Sequence, residues 1–307
     1  MHRSRLAPSP TGSLHLGNVC SFILNWALAR SRHWELIYRL EDLCTGRIQE
    51  DAATNVLVTF RWLGIDWDGE MHVQSEDLTP YVSALEELRL NNMIYHCNLT
   101  RKQIEHVSVA PQENDKQADH PIRPKNIQQH NQLASDVATN WRLIADNTST
   151  IVEDHIQGNV EIQIQDDFVV WTKEGVPSYQ LAVVVDDHHQ GVTEVVRAND
   201  LLESASRQMM LYRAMGWQIP TWWHLPLVIG PDGRKLAKRH GDTRVLFFRD
   251  QGVTPEKLIG LIGYWCSFIP QRKPMSLPDF LHAFDFTLIP RDTITCTKED
   301  LTWLLDS

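Results

Sequence analysis

The stretch Arg5-Leu-Ala-Pro-Ser-Pro-Thr-Gly12-Ser-Leu-His15-Leu-Gly17-Asn18 decides the fold. Residues 4–7 read as a short strand and Pro8 to Ser13 as a turn-rich loop. A helix is expected from about Leu14, with Phe22, Ile23, Trp26 and Ala27 on one face at helical spacing. Just downstream, Leu36 to Leu40 is a second strand ending at Glu41-Asp42. Ala52, Val56, Phe60 and Leu63 are in helical phase until Gly64 stops them, and a further helix runs from Pro80 to about Asn92. This βαβα opening predicts an α/β protein, a parallel sheet with covering helices.

Between about Thr100 and Asn140 the chain turns to Gln, Asn, Asp and His, with prolines at 111, 121 and 124, and reads as a long, partly mobile surface excursion. Val160, Ile162 and Ile164 alternate with polar residues, as in a half-exposed hairpin strand. The apolar run Leu181 to Val185, ending at Asp186-Asp187, suits a buried parallel strand. Val192 to Val196 is another strand. Ser204 is expected to cap the helix carrying Met209, Met210, Tyr212 and Arg213. Leu225 to Ile229 is a last strand, and Pro231-Asp232-Gly233 turns the chain into a basic loop. After Thr254, helical stretches alternate with prolines. The expected division is a first half of the parallel-sheet domain over 1–99, an inserted polar subdomain over 100–175, a second half with the basic loop over 176–245, and a helical C-terminal region over 246–307.

With 307 residues, 42% hydrophobic and 22% charged, the chain has the make-up of a globular protein with ample core. Its 11 tryptophans are scattered and point to no mechanism. Cys20, Cys44, Cys97, Cys266 and Cys296 form no CxxC or CxC pair, which fits reduced thiols better than a disulfide framework. No apolar leader and no run of membrane-spanning length is present, so a cytoplasmic protein without a membrane partner is expected. A net charge of −10 argues against a nucleic-acid partner overall. Locally, Arg234, Lys235, Lys238, Arg239, Arg244 and Arg249 make one basic run, read either as a solvated face or as a phosphate contact.

In an open parallel sheet, ligands sit beyond the carboxyl ends of the strands, where helix N-termini offer unpaired N–H groups to phosphate. His15 falls in such a first turn, where its imidazole can donate to an α-phosphate as charge builds. Gly17 leaves room for a flat base, and Pro8 and Pro10 stiffen the loop. A lone His-x-Gly is more commonly a capping histidine and a packing glycine. The preceding Ala7-Pro-Ser-Pro-Thr-Gly12 shifts the balance to function. Lysines on a flexible loop, as in Lys235-Leu-Ala-Lys238-Arg239-His-Gly241, suit β- and γ-phosphates.

In this order the two motifs resemble the ATP-binding signatures of class I aminoacyl-tRNA synthetases, and the first is similar to the glutamate branch nearly letter for letter. The resemblance implies a Rossmann-like catalytic domain with an inserted subdomain and a small helical C-terminal region. It implies a ligase-type enzyme using ATP with Mg²⁺. His15 and Lys238 match its catalytic positions, and Gly17, Asn18, Lys235 and Lys238 its ATP-binding ones. Arg5, Ser9, Glu41, Tyr179 and Arg197 match the positions that hold glutamate. A cation such as Arg5 can pair with the side-chain carboxylate, and Glu41 can take the α-ammonium. Three departures stand out: Asn18 for the closing His, Cys44 for an acid, and Ala237 for a Ser.

Tyr95-His-Cys97-Asn-Leu99 resembles the start of a zinc-binding subdomain in that branch, but Leu99 replaces its second cysteine. His106, His120 and His130 match no zinc spacing with Cys97, so zinc is not expected. About seventy residues follow the basic loop, too few for an anticodon-reading domain. Across nearly its whole length the chain resembles the short paralogues, the glutamyl-queuosine tRNA(Asp) synthetases, and Val183-Val-Val-Asp-Asp187 and Asp200-Leu-Leu-Glu-Ser204-Ala-Ser-Arg207-Gln208 are closer to that group than to the full-length enzymes. The short paralogues pass glutamate to queuosine in the anticodon loop of tRNA(Asp); a monomer is expected. The alternatives are a truncated glutamyl-tRNA synthetase charging a tRNA 3′ end, an inactive RNA-binding paralogue, and another adenylyl-transferring enzyme on the same fold.

Overall fold

The computed structural model describes residues 1–43, 51–99, 123, 133–136, 138–146, 149–164, 166–236 and 243–306. The N-terminal part runs β1 (Arg3–Leu6), α1 (Leu16–Ser31), β2 (Glu35–Leu40), α2 (Ala52–Leu63), β3 (Met71–Val73) and α3 (Thr79–Leu90). β1, β2 and β3 form a parallel sheet in that order. The helices arise where the periodicity predicts them. Gly64 ends α2 in the left-handed conformation (φ 78°), where a residue without Cβ is favoured.

The middle of the chain supplies β4 (Ile94–Cys97), β5 (Asn140–Leu143), β6 (Ser149–Asp154), β7 (Gly158–Gln163) and β8 (Phe168–Trp171). β4, β5 and β8 make an antiparallel sheet, and β6 and β7 the expected hairpin. Asp167 pins this region. Its buried carboxylate accepts hydrogen bonds from the Tyr95 hydroxyl at 2.8 Å, the Ala145 N–H at 2.7 Å and the Arg123 guanidinium. Apart from Arg123, 133–136 and 138–140, the expected surface excursion lies outside the described residues.

The chain then forms α4 (Tyr179–His189), β9 (Glu194–Ala198), α5 (Leu202–Ala214), β10 (Thr221–Leu225) and β11 (Val228–Ile229). β10 runs parallel to β9 and to β6. β9 also runs alongside β1: the Thr193 N–H donates to the Arg3 carbonyl at 2.9 Å. The parallel strands thus lie in the order β3-β2-β1-β9-β10. This is the doubly wound order, with its switch point between β1 and β9.

Three expectations are corrected. Leu181 to Val185 is not a strand but the heart of α4, N-capped by the Ser178 hydroxyl, which accepts the Leu181 N–H. The segment from Leu181 through Asp187 is buried, and a segment buried all round shows no period to tell helix from strand. Ser204 does not cap α5, which begins at Leu202; its hydroxyl accepts from the Gln180 side chain instead. Leu225 to Ile229 is not one strand. Pro226 has no N–H to give a ladder, so β10 ends at Leu225 and β11 begins at Val228.

The C-terminal part adds α6 (Val245–Asp250), α7 (Pro255–Trp265), α8 (Leu277–Ala283), β12 (Ile294–Thr295) and α9 (Lys298–Leu305). β12 pairs in parallel with β11, and Leu258, Ile262 and Phe280 share one core with Leu24 of α1 and Phe60 of α2. A second core joins α3, the antiparallel sheet, α4 and α5 through residues such as Leu85, Trp171, Val184 and Leu211. Among the described residues no helix is long and apolar enough to cross a membrane.

Candidate active site

A cavity of about 490 Å³ opens at the β1–β9 switch point. Arg5, Ser9, His15, Gly17, Asn18, Glu41, Tyr179, Arg197 and Lys235, all singled out from the sequence, line it. Lys238, Ala237, Arg239 and Cys44 lie outside the described residues.

One end of the cavity is the N-terminus of α1. His15 is its N-cap: ring Nδ1 accepts from the Asn18 N–H at 3.3 Å, while Asn18 Oδ1 accepts from the His15 N–H at 3.1 Å. The capping reading and the functional one are therefore compatible. With Nδ1 occupied as an acceptor, the ring proton sits on Nε2. Burial pushes the His15 pKa down, partly opposed by Asp200 and reinforced by Lys235, so the imidazole is neutral and donates one N–H. A Cβ on Gly17 would lie 3.0 Å from His15 Cε1 and 3.4 Å from Val228 Cβ, so glycine here lets the imidazole lie against the helix. Lys235 leaves β11 through the turn at Gly233 and meets Asp200 at 2.5 Å.

The other end holds a buried charge network. Arg39, fully buried on β2, reaches Asp187 at 2.8 Å, Glu41 at 3.2 Å and Asp186 at 3.5 Å. Arg5 Nε donates to Asp187 at 3.0 Å and its Nη1 to the Val196 carbonyl at 3.2 Å. The Glu41 N–H is tied to the Pro8 carbonyl, which brings the end of β2 against the Ser9 loop. Burial lifts the Glu41 pKa, with Arg39 and Arg5 pulling it back in part. Burial works the same way on Asp187, but there Arg5 and Arg39 outweigh it and hold the carboxyl low. Burial also raises the Tyr179 pKa, so its phenol stays protonated.

Arg197 differs from the other two arginines. Its guanidinium donates to His224 Nε2 at 3.0 Å, Gln208 Oε1 at 2.8 Å and the Leu201 carbonyl at 3.1 Å, and lies 5.1 Å from the Trp222 ring. Arg5 and Arg39 have carboxylate partners within ion-pair distance; among the described residues Arg197 has none. A buried cation with only uncharged partners is costly unless an anion joins it.

Sequence reading found nine lining residues but missed others, Asn25 among them, and the layer behind. Asp186 and Asp187 stand out in the sequence only as the end of an apolar run. Asn25 bonds Ser4 and the Arg5 carbonyl, fastening α1 to β1. Nothing in the local pattern marks Asn25, Gln208 or His224, because their roles come from contacts 11 to 27 positions away. Cys97 is buried on β4, and among the described residues no three His, Cys, Asp or Glu side chains gather as a metal site. His106, His120 and His130 lie outside the described residues.

The family of class I tRNA synthetases (E and Q), catalytic domain, matches residues 1–303. The chain is 41% identical to a glutamyl-Q tRNA(Asp) synthetase of Rhodopirellula baltica, over 83% of this chain and 82% of that protein. It is 35% identical to another from Symbiobacterium thermophilum, over 97% and 96%. A glutamate–tRNA ligase of Cereibacter sphaeroides is 39% identical over 81% of this chain, which spans about half of that protein's length (53%). A glutamate tRNA ligase crystal structure from Elizabethkingia meningosepticum shares the fold, with a TM-score of 0.83 over 99% of this chain and 68% of its own, at 24% identity. With the switch-point cavity, the two relatives matched along most of their length and the family match from end to end, the chain belongs to the class I tRNA synthetases of the glutamate and glutamine branch and is an enzyme of that family.

Proposed function

We propose that this enzyme activates glutamate with ATP and transfers the glutamyl group to queuosine in the anticodon of tRNA(Asp). The observation that carries glutamate is Arg197: a buried guanidinium in the cavity wall whose hydrogen-bond partners among the described residues are all uncharged. The side-chain carboxylate of glutamate supplies the missing anion, with Arg5 beside it. Glu41 takes the α-ammonium, and Tyr179 and Ser9 close the wall around the amino acid.

The phosphates of ATP lie over the N-terminus of α1, where helix N–H groups favour anions. Gly17 and Asn18 border the nucleotide, and His15 donates Nε2–H to the α-phosphate as charge develops there. Lys235 and Lys238 meet the β- and γ-phosphates. The α-carboxylate of glutamate attacks the α-phosphorus, pyrophosphate leaves, and glutamyl-adenylate forms. A hydroxyl of the queuosine cyclopentenediol then attacks the activated carbonyl and AMP leaves. Mg²⁺ bound with the nucleotide would supply charge neutralisation at the leaving pyrophosphate; Asp200 is an acidic group on the wall beside His15 and Lys235.

The acceptor rests on the two relatives named glutamyl-Q tRNA(Asp) synthetase, which match the chain over most of their length. The anticodon loop then enters the catalytic cleft, and the basic run from Arg234 to Arg249 meets its phosphates, so binding weakens as salt rises. The same reading has the enzyme cytoplasmic and monomeric, the latter checked by light scattering. The decisive experiment is glutamate-dependent ATP–pyrophosphate exchange with and without tRNA, followed by transfer of labelled glutamate. Exchange is expected with glutamate and far less with glutamine or aspartate. Label is expected on queuosine-containing tRNA(Asp), even after removal of the 3′ terminal adenosine. Equal charging of queuosine-free tRNA(Glu) at its 3′ end supports the 3′-charging alternative, and no exchange with any amino acid overturns the glutamate reading.

A further inference from the structure

Behind Arg197, outside the cavity, lies a second pair of buried groups. His224 on β10 and Asp154 at the end of β6 are 2.6 Å apart, Nδ1 to Oδ2, with both side chains fully buried. Neither touches the cavity. Arg197 Nε donates to His224 Nε2, and an arginine never accepts, so Nε2 must present a lone pair. The imidazole proton therefore sits on Nδ1 and points at Asp154. The carboxylate is held in turn by the N–H groups of Ile156, Gln157 and His224. Trp222 covers the guanidinium face.

The wrong tautomer would place an N–H against an N–H at the arginine, and a protonated ring would place a cation there. Asp154 excludes the first by accepting from Nδ1. Among the described residues, the other charged groups acting on His224 are Arg197 and, farther off, Arg5; together with burial both disfavour the imidazolium. We infer that Asp154 and His224 are positioning residues that fix the orientation of Arg197 and through it the selection of the substrate carboxylate, by locking the neutral Nδ1–H tautomer of His224. This rests on the reading of Arg197 as the glutamate-binding arginine. It adds a specificity layer that never contacts substrate, much as outer partners of ligating histidines set their tautomer and aim.

The test uses the full chain and the variants Asp154→Asn, His224→Gln and His224→Leu, alone and combined with Arg197→Lys. ATP–pyrophosphate exchange is measured with glutamate and with glutamine, alongside melting temperature. Losing one charge-assisted contact behind Arg197 is expected to raise KM for glutamate roughly tenfold while KM for ATP stays within about twofold. The preference for glutamate over glutamine should shrink. His224→Gln, whose amide oxygen reaches the Nε2 position, should be milder than His224→Leu. In the Arg197→Lys background, Asp154→Asn should add little, because both changes break one chain of contacts. If Asp154→Asn does not fold, the comparison of His224→Gln with His224→Leu carries the same test. Wild-type exchange with an unchanged glutamate KM in the variants overturns this inference alone. So do parallel rises in both KM values, or additive effects with Arg197→Lys. Wild type that exchanges with no amino acid overturns the glutamate reading and this inference with it.

Discussion

His15 caps a helix with one ring atom and, in the proposed reaction, serves chemistry with the other. Nδ1 caps α1, while Nε2–H is left to face the cavity. The two tasks separate by mutation. Asparagine is a strong N-cap, so His15→Asn keeps the cap but removes the imidazole and the reach of its Nε2–H, and the adenylation rate is expected to fall about a hundredfold with little change in melting temperature. His15→Ala loses both, adding a stability loss of about 1 kcal/mol. Stopped-flow adenylation and urea unfolding read the two effects; a His15→Asn enzyme with the wild-type rate removes the imidazole from the chemistry. His15 and its motif partners were legible because a short contiguous signature carries them. Asp154 and His224, seventy positions apart, meet only through strand order, and no local pattern announces them.

The strands and helices were legible where one face is buried and the other is not, as in α2, whose Ala52, Val56, Phe60 and Leu63 are buried while Thr54 and Arg61 are exposed. They were not legible where burial is complete. The Leu181–Val185 run forms helix in spite of three consecutive valines, because the Ser178 cap and packing from both faces outweigh a weak β preference. Close packing also explains an unobtrusive glycine in α7. A Cβ on Gly260 would lie 1.8 Å from the Lys273 carbonyl oxygen, a backbone atom that cannot swing away. Gly260→Ala should therefore destabilise by about 1–3 kcal/mol, the usual cost of overpacking, although alanine is the better helix former. A lower urea midpoint with an unchanged slope is expected. A midpoint equal to or above that of wild type would show that helix and loop separate at little cost.

The protein as a whole is acidic, with a net charge of −10, yet its buried carboxylates do not all titrate in the same direction. Burial opposes ionisation of Asp187, Asp154 and Asp167. For Asp187 the Arg5 and Arg39 guanidiniums outweigh it, for Asp154 the bond to His224 and nearby N–H groups, and for Asp167 that to Arg123; all three are held below the usual range. Their stabilisation is present above the unfolded aspartate pKa, about 3.9, and is lost as pH falls through the lower folded values. Glu41 goes the other way: burial lifts it above the ordinary glutamate range. On acidification Glu41 is thus protonated while the aspartates are still ionised and the fold intact. In the proposed site a neutral Glu41 no longer offers a counter-charge to the α-ammonium of the amino acid. KM for glutamate should therefore climb at a pH where tryptophan fluorescence and circular dichroism remain native. The free substrate's side chain titrates near 4.3, so a climb starting above that value belongs to the enzyme. In the proposed reaction His15, whose pKa burial lowers, acts at the ATP end, so its titration is expected to alter kcat rather than this KM. Glu41→Gln should have a high KM at every pH and a flat profile. If wild type and Glu41→Gln show parallel profiles, or if KM rises only together with unfolding, Glu41 is not the group that holds the ammonium.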